Sequence, residues 1–314
     1  CVHGMYMEGI KVTPEWMLIY GLDHFSPSQL TSPLDVWLYK YLLLNQQERR
    51  ALPIGSKAHA GNGSAKALQL ILAEAIKGCS FMMCGDPDKK IHIIPPKSRQ
   101  EALAAGLKVL HRYLPWNEKQ REQRFADEET LPDVVTQGML ALEPILKKGK
   151  EKKIYCEEYI SLQLEGVLVP IIGRLDFRRD KYFIELKTKW RVRGKIKKDG
   201  TRSWSKKKAP TSPDPKHIQQ VAIYWKATGY KPYLVYVGET DFQVFSEENC
   251  DMLKPKFLEE MLQEIRAAAM ARQKILQNSS SPKEAAGFVA PGWESFYWDI
   301  PQEWLSRARE LWRY

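Results

Sequence analysis

The apolar positions change period near residue 150. Before it they recur at helical spacing. Ser26-Pro27-Ser28-Gln29 opens the first clear helix: Ser26 suits the N-cap, Pro27 the first helical position and Gln29 a capping box. Leu30, Leu34, Trp37, Leu38 and Tyr41 follow at that spacing. A second helix is predicted from about Ser64 to Lys77, stopped by Gly78, and others near Arg99–Tyr113 and Pro132–Lys147. After residue 150 the pattern reads as strands at Ile154–Leu164, Val167–Arg178 and Tyr182–Lys189, with turn signals at Glu165-Gly166 and Asp180-Lys181. Pro213-Asp214-Pro215 then opens a helix that Gly229 ends, Tyr233–Val237 reads as a short apolar strand, and an amphipathic helix covers about Pro255–Leu276. This order predicts an α/β (α+β) protein, a mixed sheet with helices on its faces. One domain is expected over 12–277: helical over 12–150, an αβ core over 151–245, and the helix over 255–276. An aromatic extension over 278–314 is expected to pack on it.

Composition excludes several classes. A hydrophobic share of 44% can fill a core, which argues against wholesale disorder. No apolar run is long enough for a membrane span, and no basic-then-apolar leader is read. The five cysteines are scattered without a CxxC, so neither a disulfide framework nor a zinc finger is expected, and a reducing, cytoplasmic setting is. The formal charge is +10, and the segment Lys187–Lys208 alone carries eleven basic residues against Asp199, a local +10. Such concentration points to an anionic partner, with nucleic acid the commonest.

The most informative segment runs from Gly173 to Lys187. With Asp180-Lys181 as a two-residue turn, Arg179 faces Tyr182 and Asp176 falls opposite Glu185. Lys187 shares the face of Glu185, while Phe177, Ile184 and Leu186 point the other way. Adjacent carboxylates repel unless a cation holds them, and oxygen ligands at this spacing suit Mg²⁺ or Mn²⁺. A lysine beside them can orient a water and stabilise developing negative charge. The same cluster, taken alone, is also what a charged hairpin surface presents. Gln220 and Tyr224 lie four apart on the following helix, with His217 on their stripe. His59 offers an imidazole that suits a further metal ligand. The stretch Trp190–Lys208 is predicted to form a two-stranded arm turning at Asp199-Gly200. Lys195, Lys197, Lys198 and Arg202 would meet phosphates there, and Trp190 and Trp204 would stack on bases.

The segments SPSQL…W, GSKAH, GRLDF…IELK and HIQQVAIY resemble, in order, the motifs of RecB-type nucleases in the PD-(D/E)xK superfamily. That group includes lambda-exonuclease-like bacteriophage recombination exonucleases. The resemblance covers about residues 26–240. It implies a restriction-endonuclease-like core and Mg²⁺- or Mn²⁺-dependent hydrolysis of DNA from its ends in recombination or repair. It implies His59, Asp176 and Glu185 as metal ligands, Lys187 as the catalytic lysine, and Gln220 and Tyr224 as supporting groups that position DNA. A further acid before the hairpin is expected at Glu157 or Glu158, with Glu158 carried as the supporting residue. DNA is the implied partner, and a single-strand annealing protein fits the same setting. Iron–sulfur relatives need three late cysteines, but only Cys250 lies beyond Tyr224, so no cluster is expected. Two alternatives stay open: a structure-specific or restriction-type endonuclease, and a catalytically inactive nucleic-acid-binding module.

Overall fold

A computed structural model of the chain describes residues 21–52, 55–86 and 88–312. The expected start of the helical region at residue 12 lies outside them, as does Tyr314. The first helix forms where its cap predicts: α1 is Pro27–Thr31, and Ser26 Oγ accepts from the Gln29 amide at 3.3 Å. It does not run on to Tyr41, because Pro33 brings no amide hydrogen and disfavours a helical Ser32. The apolar stripe continues instead in α2 (Leu34–Leu38), a π-helical segment (Tyr39–Leu43) and α3 (Gln46–Ala51).

Helix α4 covers Ser56–Ala75, beginning eight residues before the expected start. Gly61 and Gly63 sit inside it. Gly63 faces Gly106 of α5 (Arg99–Leu110), and a Cβ on either would lie 2.7 Å from the other's carbonyl oxygen. The two backbones touch there, so the glycines serve helix packing and do not mark a break. Strands β1 (Ser80–Asp86) and β2 (Lys89–His92) follow α4, where only helices were expected. Helix α6 spans Glu118–Lys147 and passes through Pro132, the residue expected to open it.

Next come β3 (Lys153–Leu162), β4 (Ile171–Arg179) and β5 (Tyr182–Thr188). The hairpin register is the predicted one: Arg179 pairs Tyr182, Arg178 pairs Phe183, and Phe177 pairs Ile184. Asp180 takes the positive φ (49°) that the turn requires without a glycine, and its carboxylate is held by the Lys150 and Glu151 amides, each at 2.7 Å. The basic arm forms β6 (Val192–Ile196) and β7 (Arg202–Ser205), an antiparallel pair. Helix α7 (Pro215–Thr228) is capped by Asp214 and ended by Gly229 at φ 67°. Then come β8 (Lys231–Val237), β9 (Phe242–Ser246), α8 (Pro255–Gln277), α9 (Pro282–Gly287) and α10 (Gln302–Leu311).

The central sheet is mixed and seven-stranded, ordered β2-β1-β3-β4-β5-β8-β9. Strand β5 is parallel to β8, with α7 in the crossover. One face of the sheet packs on α4 and α6 through Leu68, Leu72, Val135 and Leu142 against Phe177, Ile184 and Val235. Tyr224 of α7 packs on the other, edge-on to Phe183 at 6.0 Å.

The chain groups into two compact units. Leu52–Ile160 with Gly173–Leu262 forms one, and it contains the hairpin. The other takes the chain up to Ala51, Ser161–Ile172 and the stretch from Gln263 onward. This grouping crosses the expected boundary at 277, since Gln263–Gln277 falls with the aromatic segment. In that second unit Trp298 is buried and donates from Nε1 to Asp35 Oδ2 at 2.9 Å, and Trp312 donates to the Val289 carbonyl at 2.8 Å. Among the described residues, no helix is long and apolar enough to cross a membrane, and Cys79, Cys84, Cys156 and Cys250 are free thiols.

Candidate active site

Alternation along β5 sends Ile184 and Leu186 into the core and turns Glu185 and Lys187 toward α7. Lys187 Nζ donates to Glu185 Oε1 at 2.7 Å and to Gln220 Oε1 at 2.8 Å. Gln220 Nε2 donates in turn to the Tyr224 hydroxyl at 2.8 Å. The helical spacing of Gln220 and Tyr224 therefore builds one chain, Glu185–Lys187–Gln220–Tyr224. Beyond the Phe177–Ile184 pair, Asp176 joins the site through its side chain, its Oδ2 accepting the Leu186 amide at 2.7 Å.

A third carboxylate completes the group. Tyr155 and Glu158 both meet Arg178: its guanidinium lies 3.8 Å from the Tyr155 ring centre, and Glu158 takes two hydrogen bonds from it at 2.8 and 3.1 Å. Residues three apart in a regular strand face opposite ways, so the alternation breaks between them. The break is at Glu157, whose φ is +56°. That backbone turns Glu157, and not Glu158, to the side where the Glu185 charge acts on it, and the buried Gln69 of α4 donates to its Oε1 at 3.4 Å. Glu158, expected as the supporting acid, is engaged by Arg178 instead. Gln69 was not among the expected site residues. Its signal is a glutamine inside the apolar run Ala67-Leu68-Gln69-Leu70-Ile71.

The electrostatics express crowding. Burial, then the charges of Glu185 and Glu157, push Asp176 well above the ordinary carboxylate range, against the pull of Lys187 and the Leu186 amide. Burial raises Glu185 and Glu157, with Glu185 adding to the rise at Glu157. Burial opposes the charge on Lys187, but Glu185 and Asp176 outweigh it and hold its ammonium above the ordinary lysine range. Tyr224 is driven well up by burial and by Glu185. Glu185 Oε2 is buried with no hydrogen-bond partner. Buried carboxylate oxygens are rarely left so.

These features fit a divalent cation. The donors are hard oxygens, they repel one another, and one buried oxygen lacks a partner. As placed, no three His, Cys, Asp or Glu groups among the described residues converge to hold an ion. The Lys187 ammonium takes the cationic place beside Glu185.

His59 is not brought to this group. It stacks on Tyr113 at 5.4 Å, and burial lowers its imidazole below the ordinary range. Gln69, which does reach Glu157, is ten residues further along α4, about 15 Å at the helical rise. His217 turns to the Tyr236 hydroxyl at 2.8 Å, and burial and Lys187 push it down to about 4, so it is neutral near pH 7.

The arm divides into a tied root and an open tip. Arg191 pairs with Glu239, Arg193 and Arg202 both pair with Glu122, and Lys206 pairs with Glu239 at 3.0 Å. Arg202, expected on phosphate, is thus held by a carboxylate. Trp190, expected to stack on bases, is a core residue whose Nε1 donates to Thr188 Oγ1 at 2.9 Å. Lys195, Lys197 and Lys198 are exposed at the tip, and Trp204 is half-buried.

No family model matches the chain, and no curated protein matches it. A solved structure titled "Crystal structure of SSO0001" is similar over 55% of this chain and 77% of that one, at 18% identity and a TM-score of 0.26. A likeness that small carries no argument about chemistry.

Proposed function

We propose that this chain is a metal-dependent deoxyribonuclease that hydrolyses DNA from its ends. The observation that carries the reading is the unpartnered, buried Glu185 Oε2 beside Asp176, Glu157 and the Lys187 ammonium. A module that only bound nucleic acid would gain nothing from mutually repelling carboxylates facing phosphate. Asp176 and Glu185 would hold Mg²⁺ or Mn²⁺, with Glu157 supplying a further oxygen. The cation would neutralise phosphate charge and lower the cost of deprotonating water. Lys187, fixed by Glu185 and Gln220, orients the attacking water or hydrogen-bonds a phosphate oxygen. Tyr224 fixes Gln220. The exposed tip lysines Lys195, Lys197 and Lys198 meet backbone phosphates, and Trp204 offers a stacking face. The motif resemblance favours action from ends.

The test is incubation of linear duplex with Mg²⁺ or Mn²⁺, with covalently closed circles as control. Release of nucleotides from linear DNA alone is the expected result. Nicking of the circles favours an endonuclease, and absence of metal-dependent hydrolysis of either substrate removes the nuclease reading.

The glycine of the GRLDF motif leaves no room for a side chain. A Cβ at Gly173 would lie 2.5 Å from Tyr224 Cε1, and Tyr224 is itself pinned against Phe183. Gly173→Ala is expected to displace the ring, free Gln220, and slow single-turnover hydrolysis by about 10–100-fold, as small misplacements do. Gly173→Ala/Tyr224→Leu should recover the thermal stability lost in Gly173→Ala but not the rate. An unchanged rate in Gly173→Ala would show that Tyr224 positions nothing.

A further inference from the structure

Four lysines from separate elements converge at one end of the sheet, apart from the arm tip. Lys57 is the second residue of α4, Lys119 the second of α6, Lys189 follows β5, and Lys207 follows β7. The packing that gathers them is explicit. Ser56 Oγ donates to Asp127 Oδ2 at 2.5 Å, joining the first turn of α4 to α6. Gln123 Nε2 donates to Asp127 Oδ1 at 2.8 Å and to the Arg191 carbonyl at 3.0 Å, joining α6 to the chain leaving β5. The Lys189 amide donates to the Val237 carbonyl at 2.7 Å. The Lys207 carbonyl lies against Gly238, where a Cβ would come within 2.8 Å.

Lys57 and Lys189 are poorly matched by acids. Lys57 keeps solvent contact, yet burial lowers it; Asp127 pulls it back, and Lys207, Lys119 and Lys189 push it down further. Lys189 is lowered by burial and by Lys187, with Asp214 opposing, and its Nζ lies 5.0 Å from the centre of the Tyr236 ring. Asp127 is fully buried, and burial holds its carboxyl up at about 6, so it is a weak counter-charge in mildly acidic solution. Helix α4 has Gly55 at its N-cap and no side-chain cap, so its first amides add to the positive field. Like charges brought together by independent elements attract an external anion.

We propose that Lys57, Lys189 and Lys207, with Lys119 beside them, form a backbone-phosphate subsite for DNA, separate from the carboxylate group and from the arm tip. The choice of DNA rests on the nuclease reading above. Lys189 is two residues beyond Lys187, about 7 Å along an extended chain, so the subsite continues the catalytic face.

The test reads binding alone. Affinity for a labelled blunt duplex is measured across a salt series with Ca²⁺ replacing Mg²⁺, for the full chain and for Lys57→Gln/Lys207→Gln. Each lost duplex contact removes about 0.9 from the slope of log K against log salt, so the pair should flatten it by roughly 2. Lys57→Arg/Lys207→Arg should keep the slope. Lys256→Gln/Lys283→Gln, an exposed pair elsewhere with the same loss of charge, should change it little. An unchanged slope in Lys57→Gln/Lys207→Gln, or an equal fall in the control pair, overturns the subsite. A wild-type chain that binds duplex but hydrolyses none with Mg²⁺ or Mn²⁺ overturns the nuclease reading and leaves the subsite standing.

Discussion

Asp176→Asn is expected to reduce metal-dependent hydrolysis at least about 10²–10³-fold while making the metal-free protein more stable. The two effects share one cause. Asp176 is packed among carboxylates that hold a proton on it well above the ordinary range. The folded state therefore keeps a proton that the unfolded state has released, and stability falls as pH rises through the carboxylate range. Asparagine keeps the shape, and its Oδ1 can still accept the Leu186 amide, but it has no charge to bury. In EDTA at about pH 8 the variant should melt higher, by roughly 2–4 °C for each kcal/mol gained in a chain of this size. At pH well below the ordinary carboxylate value the two proteins should melt together, because Asp176 is then protonated in both states. Mg²⁺ should raise the melting temperature of the wild type and leave Asp176→Asn nearly unmoved. Normal turnover in the variant, or a lower melting temperature at pH 8, would sink the assignment of Asp176 as a cation-holding group. Glu185→Gln should lose hydrolysis to a similar degree.

Asp127→Asn should change the pH dependence of stability most strongly outside that site. The carboxyl is held at about 6 against an ordinary 3.8, with burial the main cause and the Ser56, Gln123 and Lys57 contacts opposing it. Between those values the unfolded chain has released the proton and the folded chain has not. Wild-type stability should therefore fall by about 3 kcal/mol as pH rises from about 4 to about 6, and level off above. Asparagine can accept from Gln123 with its oxygen and donate to Ser56 Oγ with its amide, so both contacts survive. Urea unfolding at a series of pH values should show the fall reduced by that amount in the variant. An identical pH profile for the two proteins would mean that Asp127 titrates normally in the folded state.

Much of the candidate site was legible in the sequence. The Arg179–Tyr182 register followed from a two-residue turn, and a two-residue period then placed Glu185 and Lys187 on one face and Leu186 on the other. The arm turning at Asp199-Gly200 and the helix opened by Asp214-Pro215 were also local signals, carried by turn and cap chemistry. The misses have causes that local patterns do not carry. Strands β1 and β2 are short and lack alternation, and β1 is a strand because β3 pairs with it. The choice between Glu157 and Glu158 depended on one left-handed residue, which composition does not announce. His59 and Gln69 share a helix, and only the path of that helix across the sheet decides which reaches Glu157.

Local sequence signals set the α/β class, the hairpin register, and the Glu185–Lys187 and Gln220–Tyr224 spacings, because these rest on periods of two and of 3.6 residues and on caps within a few residues. Long-range packing chose which groups met across those periods. It chose Glu157 over Glu158, tied Arg202 to Glu122, buried Trp190 in the core, and gathered Lys57, Lys119, Lys189 and Lys207 from four elements. Charge and burial at those places depend on contacts between residues far apart in the chain, and no local pattern encodes them.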